Sequence, residues 1–258
     1  MRLYFRKPRC KRGVLSRLAI SPDPLCRGIM KISYYGHSCF SVEIGGNTLL
    51  FDPFITPNPL ASCVDVAALR PDYILLSHGH ADHVADVEMI ARQSGATLVG
   101  NYEVIQWFTA KGLDKAVPMN SGGSCSLEFG RVTFTTAIHS SSMPDGSYGG
   151  QPGGFRVESK EGVRGAFYYS GDTALTHDIK LVAEMGPLRF AALCLGDHFT
   201  MGVADAVTAA KWLGCKEIMG VHYDTFPPIA IDHDVAQEAF FKEGKRLHLP
   251  TIGGTLDL

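Results

Sequence analysis

Tyr73-Ile74-Leu75-Leu76-Ser77-His78-Gly79-His80-Ala81-Asp82-His83 is an apolar run of strand character that delivers three imidazoles and one carboxylate. Neutral imidazole and carboxylate are the ligands that divalent transition metals prefer, and so dense a set implies a cation that draws it together. His78 and His80 lie two apart in a segment leaving a strand, so they face the same way. From Asp82 onward Val84, Val87, Ile90 and Ala91 recur at helical spacing, which starts a helix over the site. The stretch therefore predicts a metal site, and one that could serve two metals. Four ligands do not fill two coordination shells, so the rest of the chain must supply more.

The same arrangement recurs along the chain: an apolar, often β-branched run ends in a histidine or an aspartate. Arg131 to Ile138, with Val132, Phe134 and Ile138 on one parity, delivers His139. Ala166-Phe167-Tyr168-Tyr169 leads to Ser170-Gly171-Asp172-Thr173, where the glycine permits a sharp turn that presents the carboxylate. Ile218-Met219-Gly220-Val221 ends in His222. Two further runs, Ile32 to Gly36 and Phe190 to Leu195, end in His37 and in Gly196-Asp197-His198. If these strands share sheets, their ends form one edge on which distant polar groups converge. His139, Asp172 and His222 then join His78, His80, Asp82 and His83 in a set of seven ligands. His37 and His198 fall outside that set, as surface histidines or as residues that face the substrate.

These residues resemble the pattern of the metallo-β-lactamase superfamily: His-x-His-x-Asp-His, then a histidine, an aspartate and a last histidine. The nearest likeness is to a branch of small stand-alone metal-dependent hydrolases similar to the lactonase that opens L-ascorbate 6-phosphate. Its supporting marks are Tyr35-Gly36-His37-Ser38-Cys39-Phe40, Asp52-Pro53-Phe54, Ser170-Gly171-Asp172-Thr173, Phe199-Thr200-Met201-Gly202 and His222-Tyr223-Asp224-Thr225-Phe226-Pro227-Pro228. The resemblance runs from Met30 to Leu258 and implies an α/β (α+β) fold, the four-layer αββα sandwich. It also implies that His78, His80 and His139 hold one metal, that Asp82, His83 and His222 hold the other, and that Asp172 bridges them. Two departures stand where a substrate would sit: His at position 198 in place of an expected Asn, and the Gly-rich stretch from Gly149 to Gly154.

An anionic bridge offsets the repulsion between two dications, and a water shared by them loses a proton near neutral pH. The expected activity is attack by a metal-bridging hydroxide on a small-molecule ester, lactone or phosphodiester. Asp82, His37 and His198 are the candidate catalytic residues, with His198 or His37 protonating a leaving group or holding an anionic substrate. Five His and two Asp without a thiolate suit two zinc ions, the default choice, and tolerate Mn, Fe or Ni.

At 258 residues, 45% hydrophobic and 19% charged, the chain can bury one large core or two packed sheets. No apolar run is long enough to span a membrane. Helical patterns near 82–93, 102–111, 176–185, 203–213 and 232–244 interleave with the strands and suggest helices covering two sheets. Residues 1–29 differ: eight Lys or Arg and one acid give a net +7, against −9 for the remainder. They read as a basic extension, disordered or outside the natural domain, which starts at Met30 and fills 30–258. The extension is Arg-rich like some transit peptides but lacks the apolar core of a secretory signal.

Seven cysteines without a Cys-x-x-Cys pair suggest reduced thiols and a cytoplasmic address. The loop from Ser140 to Gly154 is either a flexible connection or a pocket wall, and it carries no Lys or Arg to grip a phosphate. A nuclease of the same superfamily fits less well, because the −9 domain shows no basic stripe for nucleic acid. The remaining alternative is a non-hydrolytic metal-binding protein. A flavin-carrying, dioxygen-reducing relative would need a further domain. A small molecule is the expected partner, with neither nucleic acid nor membrane, and nothing in the sequence specifies an oligomeric state.

Overall fold

In β4 (Tyr73–Leu76) every side chain is buried, yet successive residues belong to different cores. Tyr73 and Leu75 join an apolar cluster that includes Phe134, Phe155 and Phe167. Ile74 and Leu76 join a second cluster with Val87, Ile90, Ile105 and Phe108. A strand buried on both faces lies inside a layered structure, with a sheet on one side and helices on the other. The computed structural model describes residues 30–160 and 162–258. The basic segment 1–29 lies outside the described residues.

Around β4 the first sheet is built from β1 (Lys31–Gly36), β2 (Cys39–Ile44), β3 (Asn47–Phe51), β5 (Thr97–Asn101) and β6 (Ala116–Met119). The second holds β7 (Ser124–Leu127), β8 (Gly130–Thr136), β9 (Gly153–Ser159), β10 (Gly162–Tyr169), β11 (Phe190–Cys194), β12 (Glu217–Val221) and β13 (Arg246–His248). The last strand, β14 (Thr255–Asp257), returns to pair with β1. The two seven-stranded orders are β14-β1-β2-β3-β4-β5-β6 and β13-β12-β11-β10-β9-β8-β7. The short helix α1 (Ala81–Val84) with α2 (Val87–Ser94) and α3 (Tyr102–Thr109) covers the first sheet, and α4 (Asp178–Glu184), α5 (Val203–Leu213) and α6 (His233–Lys242) cover the second. This is the four-layer αββα sandwich.

Strand direction explains where the polar groups go. β1 and β3 are each antiparallel to β2, and β4 is parallel to β3. β8 and β10 are each antiparallel to β9, and β11 and β12 continue parallel to β10. The C-terminal ends of β1, β3 and β4 thus share one edge of the first sheet, and those of β8, β10, β11 and β12 share one edge of the second.

Two local expectations change. The helix expected over 82–93 is broken at Ala85-Asp86. Asp86 leaves helical geometry at φ −103°, ψ 4°, and its carboxylate accepts from the amides of Ile55 and Thr56 at 2.6 and 2.9 Å. Holding the loop after Asp52 outweighs one continuous helix. The strand expected to reach Ile138 ends at Thr136, and Ile138 is 55% exposed rather than on the inward parity.

Phe51 joins the sheets. Its ring stacks on Phe40 at 4.6 Å and meets Phe155, Phe167 and Tyr169 of the second sheet edge-on at 5.6–6.1 Å. Phe51→Ala is expected to destabilise the chain by about 3–5 kcal/mol in urea unfolding. A loss under about 1 kcal/mol, the centre of the distribution for point variants, would show that the intersheet core is packed elsewhere.

Candidate metal centre

The turns that end the strands are sharp, and they carry strain. His37, Asp52 and His222, which follow β1, β3 and β12, have φ of 55°, 39° and 55°, a region that costs a residue with a side chain of order 1–3 kcal/mol. The amide of His222 donates to the His37 carbonyl at 3.0 Å, so the two strained turns brace each other across the sheets. After β10, Gly171 (φ 59°) supplies the turn the sequence required. A Cβ there would overlap the Gly153 carbonyl and lie 3.0 Å from Ser77 Cβ.

All seven predicted ligands meet. His78, His80 and His139 form one group whose nitrogen atoms lie within 4.8 Å of one another. Asp82, His83 and His222 form a second on the same criterion, and His37 belongs to it. Asp172 touches both: its Oδ2 is 2.9 Å from His222 Nε2, 3.2 Å from His83 Nε2 and 3.8 Å from His139 Nε2. His198 stands apart, exposed on the turn after β11, with its ring against Phe199 and no hydrogen bond to the cluster.

Asp52 stands in the sequence only within the mark Asp52-Pro53-Phe54, with no role attached to it. It is buried, and its carboxylate accepts from the Ser77 amide (2.8 Å), the Ser77 hydroxyl (2.5 Å), the Tyr169 hydroxyl (2.6 Å) and His83 Nδ1 (2.8 Å). Outer bonds of this kind decide which ring nitrogen carries the proton. The Ser77 hydroxyl gives its hydrogen to Asp52, so at 2.9 Å it accepts from His78 Nδ1. The Thr225 hydroxyl donates to the Tyr223 carbonyl at 3.3 Å, so at 2.9 Å it accepts from His37 Nδ1. With a neutral ring, each of His37, His78 and His83 then turns the lone pair of Nε2 inward. His78 Nε2 lies 2.9 Å from His80 Nδ1, His37 Nε2 3.2 Å from Asp82 Oδ2 and His83 Nε2 3.2 Å from Asp172 Oδ2. At His37 and His83 an acceptor then faces a carboxylate oxygen, which is unfavourable unless a positive charge lies between them.

The ionisation states agree with that donor set. Burial lowers the His37 imidazole to about 4, and it also holds His78, His80 and His139 below the ordinary histidine value, the neutral form a metal requires. For Asp172 burial acts upward, but His222 and His83 outweigh it and keep the carboxyl well below its usual range. For His83 burial acts downward, but Asp172 and Asp52 overcome it. The two carboxylates that favour a proton on that ring favour a metal cation equally well. His83 Nε2, Asp172 Oδ1 and His222 Nδ1 are buried and lack a hydrogen-bond partner among the described residues. Orphaned polar atoms at this density fit a divalent metal.

The loop after His139 is a fixed wall. Asn101 caps α3 through Oδ1, which accepts from Val104, and its Nδ2 donates to the carbonyls of Gly149 and Gln151 at 2.7 and 2.9 Å. Ser141 accepts from the Gly79 amide at 3.2 Å, and Ser140 Oγ lies 3.3 Å from His80 Nε2.

Comparison with known proteins places these features in a family. The Beta-lactamase superfamily domain matches residues 47–223. A UPF0173 metal-dependent hydrolase of Methylacidiphilum infernorum is 51% identical over 214 residues, which cover 83% of this chain and 93% of that protein. One from Flavobacterium johnsoniae is 47% identical over 229 residues, 89% of this chain and all of the relative. Among solved structures, Igni18, a metallo hydrolase of the archaeon Ignicoccus hospitalis, superposes with a TM-score of 0.81 at 30% identity, covering 89% of this chain and 98% of that one. The chain belongs to the beta-lactamase superfamily and, within it, to the metal-dependent hydrolases.

Proposed function

We propose that residues 30–258 form a binuclear hydrolase, loaded with zinc by default, that acts on a small-molecule ester, lactone or phosphodiester. The observation that carries this reading is the Asp172 carboxylate, which lies within 3.8 Å of histidines from both ligand groups. His78, His80 and His139 would hold one ion, Asp82, His83 and His222 the other, with Asp172 between them. Two dications held there would acidify a shared water and polarise the substrate oxygen.

The chain's own part is to hold, aim and neutralise. Asp52 fixes His83 through Nδ1, and Ser77 and Thr225 do the same for His78 and His37. His37 is held by Thr225 through Nδ1 and turns Nε2 toward Asp82 inside the second ligand group, which favours helping to hold the second ion over protonating a leaving group. His198, exposed and without a hydrogen bond among the described residues, is the catalytic candidate left to meet the substrate. A cytoplasmic address belongs to the same reading, supported by free thiols at Cys39, Cys63, Cys125, Cys194 and Cys215. Among the described residues no helix is long and apolar enough to cross a membrane.

Asp172→Ala is expected to lower the metal content below one ion per chain by elemental analysis and to cut turnover at least about a hundredfold. Two retained metals with full turnover would remove the basis of the reading. Asp52→Asn keeps the shape but loses the charge behind His83. It should weaken metal affinity by about 10–100-fold in competition with a chelator, and an unchanged affinity would confine Asp52 to folding.

A further inference from the structure

The surroundings of the ligands point to the substrate's chemistry. Segments 36–69, 77–91, 137–155, 170–179, 195–210 and 222–241, which carry all the clustered groups together with His198, contain no lysine or arginine. Acids recur through them, among them Asp145, Asp197 and Asp224. Proteins that select phosphate-bearing substrates ordinarily place guanidinium or ammonium groups beside the reacting centre. The segments that carry the clustered groups offer none.

Aromatic surface takes their place. Phe54 and Phe226 lie against the His37 ring at 5.5 and 5.6 Å and against each other at 6.3 Å, forming one side of the second ligand group. Phe226 is only half-buried, and it is stiffly mounted. The turn Pro227–Ile229 follows it directly, the Ile229 amide returns to the Phe226 carbonyl at 3.0 Å, and Ile229 is buried. Asp82, whose side chain is 31% exposed, is the open member of the same ligand group. Ile138, next in sequence to His139, is more than half exposed, as are Tyr148 on the fixed loop and Phe199, whose neighbour His198 stands outside the ligand groups. Apolar side chains left in water around a polar centre mark a surface that takes an apolar ligand.

We propose that the substrate is a neutral carboxylic ester or lactone whose apolar acyl portion seats on Phe226, with the buried Phe54 ring packed beside it. This deepens the hydrolase reading above and rests on it. Water adds to the acyl carbon, forming a C–O bond as the bond to the alkoxy oxygen breaks. One proton of the water ends on the released alcohol, leaving a carboxylic acid, or a single hydroxy acid from a lactone.

The test uses the metal-loaded full chain and two substrates with the same leaving group, p-nitrophenyl butanoate and bis(p-nitrophenyl) phosphate, with p-nitrophenyl acetate as the short-chain control. The ester should exceed the diester at least tenfold in kcat/KM, and butanoate should exceed acetate. Phe226→Ala, in preparations matched for metal content, should abolish the preference for butanoate, mainly through KM, and Phe226→Leu should restore it. Calorimetric binding of the neutral ketone 4-phenyl-2-butanone should weaken at least tenfold in Phe226→Ala. A faster diester, or a chain-length preference and ketone affinity indifferent to Phe226, would overturn this inference while leaving the hydrolase reading intact. Turnover of none of the three would overturn both.

Discussion

The carboxylate of Asp172 is buried between histidines that arrive from both sheets, and the structure around it is organised to tolerate that placement. Removing a carboxylate and several imidazoles from water costs several kcal/mol per ionised group unless opposite charge and hydrogen bonds compensate. Compensation here comes in two tiers. Protein groups satisfy the outer nitrogens of His37, His78 and His83, and the inner nitrogens are turned toward one another and toward carboxylates. Positive charge among those groups makes the second tier favourable. The positive φ values at His37, Asp52 and His222 add strain at the same place, so the rest of the sandwich must hold what the centre alone would not.

That support is rigid and comes from packing. The rings of Phe40 and Phe51 meet Tyr169 within the intersheet core, and Tyr169 in turn donates its hydroxyl to Asp52. A core residue therefore reaches His83 through one carboxylate. On the outer side, the break between α1 and α2 frees Asp86 to fasten the backbone that follows Asp52. Strand direction, the braced turns at His37 and His222 and the buried partners Asp52, Ser77 and Thr225 together place the clustered side chains, which is how groups from separate segments keep their geometry.

Much of this was legible in the sequence because the physics is local there. Apolar runs that end in His or Asp announce strands whose polar cargo sits at one edge, and His78, His80, Asp82, His83, His139, Asp172 and His222 do converge. The helices at 102–109 and 203–213 followed from periodicity alone. What escaped was nonlocal. Nothing near Asp52 in sequence says that Ser77, His83 and Tyr169 will all turn to it, since those partners lie 25, 31 and 117 positions away. The helix interruption at Asp86 likewise answers to a loop 30 residues earlier. His37, a catalytic candidate in the sequence, lies within the second ligand group, a placement no single histidine at a strand end reveals until its neighbours in space are known. Ile138 has the parity of an inward residue, but the strand stops two residues before it.

Diffraction from crystals of the metal-loaded chain, recorded on both sides of the metal's absorption edge, tests the central claim most directly. Two anomalous peaks about 3.5–4 Å apart are expected, one among His78, His80 and His139 and the other among Asp82, His83 and His222, with the Asp172 carboxylate between them. A single peak, or two peaks neither of which lies beside Asp172, would contradict the account.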